Sequence, residues 1–298
     1  MSSDVHHLLD VGDLDDKAVM EILLAAETPG AAIVPAFVTG LWFLAGSLRT
    51  QVGFAVATAR LGGTPITVGA ARDAPEMTHA ESFADTLRAL GGMVDLIVVR
   101  PEQPLDRALV RAVSPVPVIN GGDPGGEHPT QALIDLFAME RLAGPAGELH
   151  VGICGDLTLR ATRSLLSLLS RLPPRRLTLI APPGRRDHGV TLSAALASRT
   201  DLREKADFTD LDVLLLPGLP EGRGAGRLGE AERAAYALTA RTSGALGPEA
   251  VVLSPMPIID EISDDLRDDR RVRMFEQSDL AVQVRMAVLQ WMLAARPG

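Results

Sequence analysis

A histidine and a glutamine stand three residues apart at the end of a glycine-rich stretch, and together they offer the chain's most specific chemistry. Gly121-Gly122-Asp123-Pro124-Gly125-Gly126-Glu127 runs directly into His128, Pro129, Thr130 and Gln131. Ala132-Leu133-Ile134-Asp135-Leu136-Phe137 then has the apolar periodicity of a helix. Four glycines and a proline predict a loop that ends at a helix start. Such a start leaves backbone N–H groups unpaired at the positive end of the helix dipole, where an anion can be held. His128 can donate or titrate, and Gln131 can both donate and accept. Without a ligand, the same stretch is a strand-to-helix connection with a histidine near a cap.

A second pattern of this kind lies earlier. The apolar run 33–45 leads into Gly46-Ser47-Leu48-Arg49-Thr50-Gln51, and Val52 to Leu61 reads as a helix closed by Gly62-Gly63. A strand, a turn bearing Ser47, Arg49 and Thr50, and then a helix would cradle an anion; a plain N-cap by Ser47 or Thr50 is the alternative. A third contribution is Arg100, at the end of the apolar strand predicted over 94–99. Lys17 and Lys205 are the only lysines. Any cationic site is therefore built almost entirely from arginine, whose planar fork suits phosphate or carboxylate.

The elements that must position these residues alternate regularly. Strands predicted over 33–45, 64–69, 94–99 and 116–120 are separated by helices over 52–61, 81–90 and 105–112. After Gly144-Pro145-Ala146-Gly147, read as a hinge, strands follow at 150–154, 177–181, 211–216 and 251–253, with a helix at 162–172 and a final one at 279–295. This rhythm predicts an α/β fold with parallel sheets. The reading is two three-layer α/β domains, 1–144 and 145–298. Open parallel sheets bind ligands at the carboxyl ends of their strands. Ser47, Arg49, Thr50, Arg100, His128, Gln131, Asp156 and the turn 254–257 all fall there; the first six come from the N-terminal half, and their two arginines, hydroxyls and two helix starts describe a site for a dianionic phosphate with an attached carbonyl.

Composition narrows the function classes. The 298 residues are 46% hydrophobic and 3% aromatic, so Ala, Leu and Val must fill the cores of two domains. A net charge of −9 and a pI near 5.2 argue against a general nucleic-acid or anionic-membrane binder. The lone Cys154, inside an apolar run, excludes an internal disulfide and a multi-cysteine metal site and suits a reducing cytoplasm. The start of the chain lacks the basic and apolar regions of a signal peptide, and no charge-free stretch reaches membrane-spanning length. The expectation is a soluble, cytoplasmic protein that needs neither metal nor cofactor.

His128-Pro129-Thr130-Gln131-Ala132-Leu133, with Asp135-Leu136 after it, resembles the His-Pro-Thr-Gln motif of the aspartate and ornithine carbamoyltransferases. The similarity extends through Leu61-Gly62-Gly63, Ala84-Asp85-Thr86, Val99-Arg100, Gly155-Asp156-Leu157, Pro255-Met256-Pro257 with Asp260-Glu261, and the last helix with Arg285, and is closer to the aspartate branch. It implies a carbamoyltransferase-like fold whose C-terminal helix packs back on the first domain. Carbamoyl phosphate would be held mainly by that domain, through Ser47, Leu48, Arg49, Thr50, Arg100, His128 and Gln131. An amine acceptor would be held mainly by the second. A homotrimer, or a higher assembly of trimers, with sites between subunits is also implied. Arg49, Thr50 and His128 would stabilise charge on the carbonyl as it becomes tetrahedral.

Departures from the family gather on the acceptor side. The phosphate turn, Ser-Thr-Arg-Thr-Arg in the family, is Ser47-Leu48-Arg49-Thr50-Gln51 here. One second-domain arginine aligns with Ala161, beside Arg160; another aligns with Gly218, and the glutamine two residues on is Pro220. The acidic residue that positions those arginines falls on Ala45, and the usual His-Pro-Leu-Pro turn is Ser254-Pro255-Met256-Pro257. A lysine supplied by a neighbouring subunit aligns near His79. Arg160, Ala161, Gly218 and Met256 therefore mark the acceptor wall, and without two cations a dicarboxylate such as aspartate would bind poorly. Three readings follow: a carbamoyltransferase with another acceptor, which is preferred; an idle homologue serving as a structural or regulatory subunit; or a different reaction in a specialised biosynthetic pathway. Arg160, Arg223 and Arg227 are the arginines that could replace the missing pair.

Overall fold

The computed structural model describes residues 5–31, 35–69, 81–220 and 228–294. The chain divides into two compact units. One holds the chain up to Leu133 together with the part from Ala281 onward, and the other is Ile134–Leu280.

The first unit is built on a four-stranded parallel sheet in the order β2-β1-β3-β4. Its strands are β1 (Val38–Phe43), β2 (Thr64–Val68), β3 (Leu96–Arg100) and β4 (Val118–Asn120). Leu96, Ile97, Val98 and Val99 are fully buried, as a strand covered on both faces requires. Helices α1 (Asp16–Glu27), α2 (Leu48–Arg60), α3 (Phe83–Gly91) and α4 (Arg107–Val113) connect or flank these strands. Asp15, Ser82 and Asp106 start α1, α3 and α4 by accepting a backbone N–H two or three residues into each helix. Strand registers set the functional edge. Phe43 pairs with Arg100 and Val99 with Asn120, so β1, β3 and β4 end together.

The second unit carries a five-stranded parallel sheet in the order β7-β6-β5-β8-β9. The strands are β5 (His150–Gly155), β6 (Arg176–Ile180), β7 (Thr200–Arg203), β8 (Val213–Gly218) and β9 (Val251–Leu253). Helix α6 (Arg160–Arg171) follows β5 and buries Leu165, Leu166, Leu168 and Leu169; α7 (Ala194–Ala197), α8 (Glu230–Ala234) and α9 (Ala240–Ser243) are short. Cys154 lies in the core around Phe208, Leu214 and Tyr236, where burial pushes its thiol pKa up and leaves it inert.

Two long helices contribute to both units: α5 (Pro129–Ala143) and α10 (Met274–Ala294). The division therefore falls inside α5, between Leu133 and Ile134, rather than after it at the Gly144–Gly147 turn, because one continuous helix supplies residues to each unit. The last helix likewise starts at Met274, five residues before the predicted start, and returns to the first unit from Ala281. Strand β7 and helices α7, α8 and α9 have no counterpart in the sequence reading. Each is five residues or fewer, and β7 is a polar edge strand without a readable alternation. No helix among the described residues is long and apolar enough to cross a membrane.

Candidate active site

Helix α2 starts four residues before the predicted start, which moves Leu48, Arg49 and Thr50 from a turn into its first turn. Ser47 occupies the N-cap position, but its hydroxyl makes no capping bond; it donates to the Thr50 Oγ1 at 3.0 Å instead. The first N–H groups of α2 are left without a side-chain cap and no acidic residue stands in the turn. An arginine in that place is electrostatically adverse, since it adds a cation to the positive end of the dipole.

Arg285 adds a second cation. It is 4% exposed on α10, lies over the Phe54 ring at 5.6 Å, and fills the space that the bare Gly53 leaves on α2. Burial, and after it the nearby Arg49, pull the Arg285 guanidinium down to about 10. Arg49 is also lowered from its ordinary value, by partial burial. A buried arginine pulled down partly by a second arginine beside it fits a place where an anion supplies the missing negative charge.

Arg100 and His128 converge on Gly122. The Arg100 Nη1 donates to the Gly121 carbonyl at 3.0 Å. A Cβ added to Gly122, whose φ is +112°, would stand 2.5 Å from that nitrogen and 3.0 Å from the His128 Cδ2. Glycine is required here, both for its backbone conformation and for the approach of the two side chains. Asn120 braces the loop: its Oδ1 accepts from Gly122 N at 2.9 Å, and its Nδ2 donates to the carbonyls of Leu9 and Glu127. Buried Asp123 accepts from Leu105 N at 3.1 Å.

His128 is buried immediately before Pro129, the first residue of α5, and its carbonyl accepts from Gln131 N and Ala132 N. Proline suits that first position because its missing N–H would have no helical partner. The His128 Nδ1 lies 3.4 Å from the Thr130 Oγ1, which leaves the opposite edge of the ring toward Gly122. Gln131 is half-buried in the first turn. The Leu44 and Ala45 N–H groups both donate to the Arg100 carbonyl, so the chain leading to Ser47 is tied to the end of β3.

In the second unit, Arg160 is the first residue of α6 and Ala161 the second, both half-buried. Asp156 is fully buried: its N–H donates to the Gly218 carbonyl at 2.9 Å, and its Oδ1 accepts from the Thr158 N–H and hydroxyl. Its Oδ2 meets the Arg185 Nη1 at 3.4 Å, and Arg185 is only 2% exposed. That arginine, from the turn after β6, does not belong to the sequence reading; its neighbour Arg186 and the polarity of the turn hide a buried cation. Gly218 ends β8 with φ +76° and faces the Glu261 carboxyl. Met256 has φ +50°, precedes a cis peptide bond to Pro257, and donates its N–H to the Ser254 Oγ at 3.0 Å. It is held by a separate chain of bonds, in which Gln277 accepts from Ser254 N and donates to Asp135 at 2.7 Å. His79, Arg223 and Arg227 lie outside the described residues.

Residues 6–141 match the family model of the aspartate/ornithine carbamoyltransferase carbamoyl-P binding domain. Over nearly its whole length the chain is similar to aspartate carbamoyltransferase catalytic subunits. It is 32% identical to that of Methanothrix thermoacetophila over 96% of this chain and 98% of the relative, and 32% identical to that of Archaeoglobus fulgidus over the same shares. Among solved structures it is similar to the catalytic subunit of M. jannaschii aspartate transcarbamoylase, with 26% identity, 98% of this chain and 99% of the other covered, and a TM-score of 0.83. The aspartate transcarbamoylase of Trypanosoma cruzi, solved with carbamoyl aspartate and phosphate, shares the fold with a TM-score of 0.88 at 24% identity, covering 97% and 95% of the two chains. The chain belongs to the aspartate/ornithine carbamoyltransferase family.

Proposed function

We propose that this protein transfers the carbamoyl group of carbamoyl phosphate to an amine other than aspartate. The observation that carries the first half is the uncapped start of α2, where Arg49 and the buried Arg285 stand together with no acid in the helix's first turn. Arg100 and His128, meeting over Gly122, are suited to the carbonyl and phosphate oxygens of the same molecule. The neutral amine nitrogen forms a bond to the carbamoyl carbon, and the bond from that carbon to the phosphate oxygen breaks. The electron pair leaves with phosphate, and a proton passes from the nitrogen to it. Arg49, Thr50 and His128 stabilise the tetrahedral oxygen, and positioning supplies most of the acceleration because no covalent nucleophile is required.

The acceptor half rests on Ala45, Ala161 and Gly218, where the family carries an acid and two arginines. Those absences also leave a second reading, a catalytically idle homologue that serves as a structural or regulatory subunit. The trimer that the resemblance implies belongs to both readings, and sedimentation tests it. Calorimetry with carbamoyl phosphate, followed by an amine screen read by phosphate release, separates them. Absent binding of carbamoyl phosphate and phosphate would overturn the first. Binding without turnover on any amine supports the second, and efficient turnover of aspartate would remove the altered acceptor.

A further inference from the structure

We propose that Glu261 recognises the acceptor, and that the acceptor carries a second cationic group, an ammonium or guanidinium, where aspartate carries a carboxylate. This deepens the transfer reaction above and rests on it.

Glu261 is 5% exposed, beside the carboxyl end of β8. Its Oε2 accepts from the N–H groups of Ile259 at 2.8 Å and Asp260 at 3.2 Å, whereas its Oε1 is buried with no hydrogen-bond partner among the described residues. A buried carboxylate oxygen without a donor is costly, and such groups are ordinarily paired. The neighbouring acids are paired: Asp260 meets the Arg233 Nε at 2.6 Å, and Asp156 meets Arg185. Glu261 has no such cation among the described residues, and burial pushes its carboxyl pKa up against the pull of its backbone donors.

Gly218 stands directly against this carboxyl. A Cβ added there would stand 3.1 Å from the Glu261 Oε2 and 3.5 Å from its Oε1, so any side chain at 218 starts in contact with this carboxyl. An arginine at that position could neutralise Glu261 and present its far side to an acceptor carboxylate. Glycine removes both the charge and the volume, and the acid remains. With Ala161 removing a second positive charge, this edge attracts a cation rather than a dicarboxylate.

The test compares putrescine with butylamine, which differ only by the second ammonium group, as acceptors for the wild-type protein and for Glu261→Gln. In the wild type, kcat/KM for putrescine exceeds that for butylamine by about tenfold or more, the worth of one charge-assisted bond. Glu261→Gln brings that ratio to about one, with the thermal transition reporting that the fold is kept. An unchanged ratio in the variant, or a wild type that prefers aspartate, overturns the proposal. If no amine is carbamoylated although phosphate binds, the transfer reaction has failed, and calorimetry of putrescine against the phosphate-loaded protein decides on Glu261 by itself. Binding that weakens about tenfold in Glu261→Gln supports it; binding that is absent, or unaltered by the substitution, overturns it.

Discussion

Replacing Gly122 by alanine tests the convergence of Arg100 and His128 directly. The new Cβ would stand 2.5 Å from the Arg100 Nη1 and 3.0 Å from the His128 Cδ2, so at least one of the two side chains must move away. The backbone φ of +112° is also one that a residue with a Cβ adopts only at a cost of about 1–3 kcal/mol. Losing one charge-assisted hydrogen bond to a bound anion costs about 1.5–3 kcal/mol, or roughly tenfold to a hundredfold in affinity. Calorimetry with inorganic phosphate and with carbamoyl phosphate measures that loss, and thermal unfolding measures the strain. Gly125→Ala is the control: its φ is +75°, but a Cβ there meets nothing within 4 Å. It should lower stability as Gly122→Ala does and leave phosphate affinity unchanged. If Gly122→Ala binds phosphate within about twofold of the wild type, Arg100 and His128 do not form one anion site there.

Three further outcomes are expected. Arg185→Leu leaves the fully buried Asp156 without its cation and should lower the unfolding free energy by about 3–5 kcal/mol in urea titration. Most of that loss should return in Arg185→Leu/Asp156→Asn, and a loss below about 1 kcal/mol in the single variant would mean the pair is not a buried charge pair. Gln277→Leu leaves the buried Ser254 N–H without its acceptor and removes a donor to the Asp135 Oδ1, so it should cost about 1–3 kcal/mol; a near-neutral effect would show that the link is dispensable. Burial, with Arg111 adding to it, pulls His7 from 6.5 down to about 4. Its neutral form therefore contributes stability that is fully present above pH 6.5 and is lost as pH falls toward 4, amounting to about 3 kcal/mol. Unfolding at pH 7 and pH 4.5 should show a larger drop in the wild type than in His7→Leu, and equal drops would remove His7 as the cause.

Local pattern carried much of the fold. Apolar runs bounded by glycine and proline predict eight of the nine strands among the described residues, and the one missed, β7, has a single leucine among polar residues and owes its place to pairing with β6. Helix starts were less legible. Leu48, Arg49 and Thr50 look like a turn because they are not apolar-periodic, yet backbone hydrogen bonding continues through them and changes the presentation of their N–H groups. On the site side, the His128 loop and Arg100 could be read from residue type and strand ends. Arg285 stood out only as part of a resemblance, since nothing local marks an arginine on a helix as buried against Gly53 and Phe54.

The sequence by itself determined the alternation of strands and helices, the predominance of arginine among its cations, the His128–Gln131 helix entrance and the small residues Ala161 and Gly218. Those properties are local, or reside in residue type, and need no partner to be read. Tertiary structure alone decided which charges are buried and which are paired. Arg185 with Asp156, Glu261 beside Gly218, and Arg285 beside Arg49 join residues from distant parts of the chain. Strand register and helix packing set those distances, and the strength of a charge interaction depends on distance and on the exclusion of water.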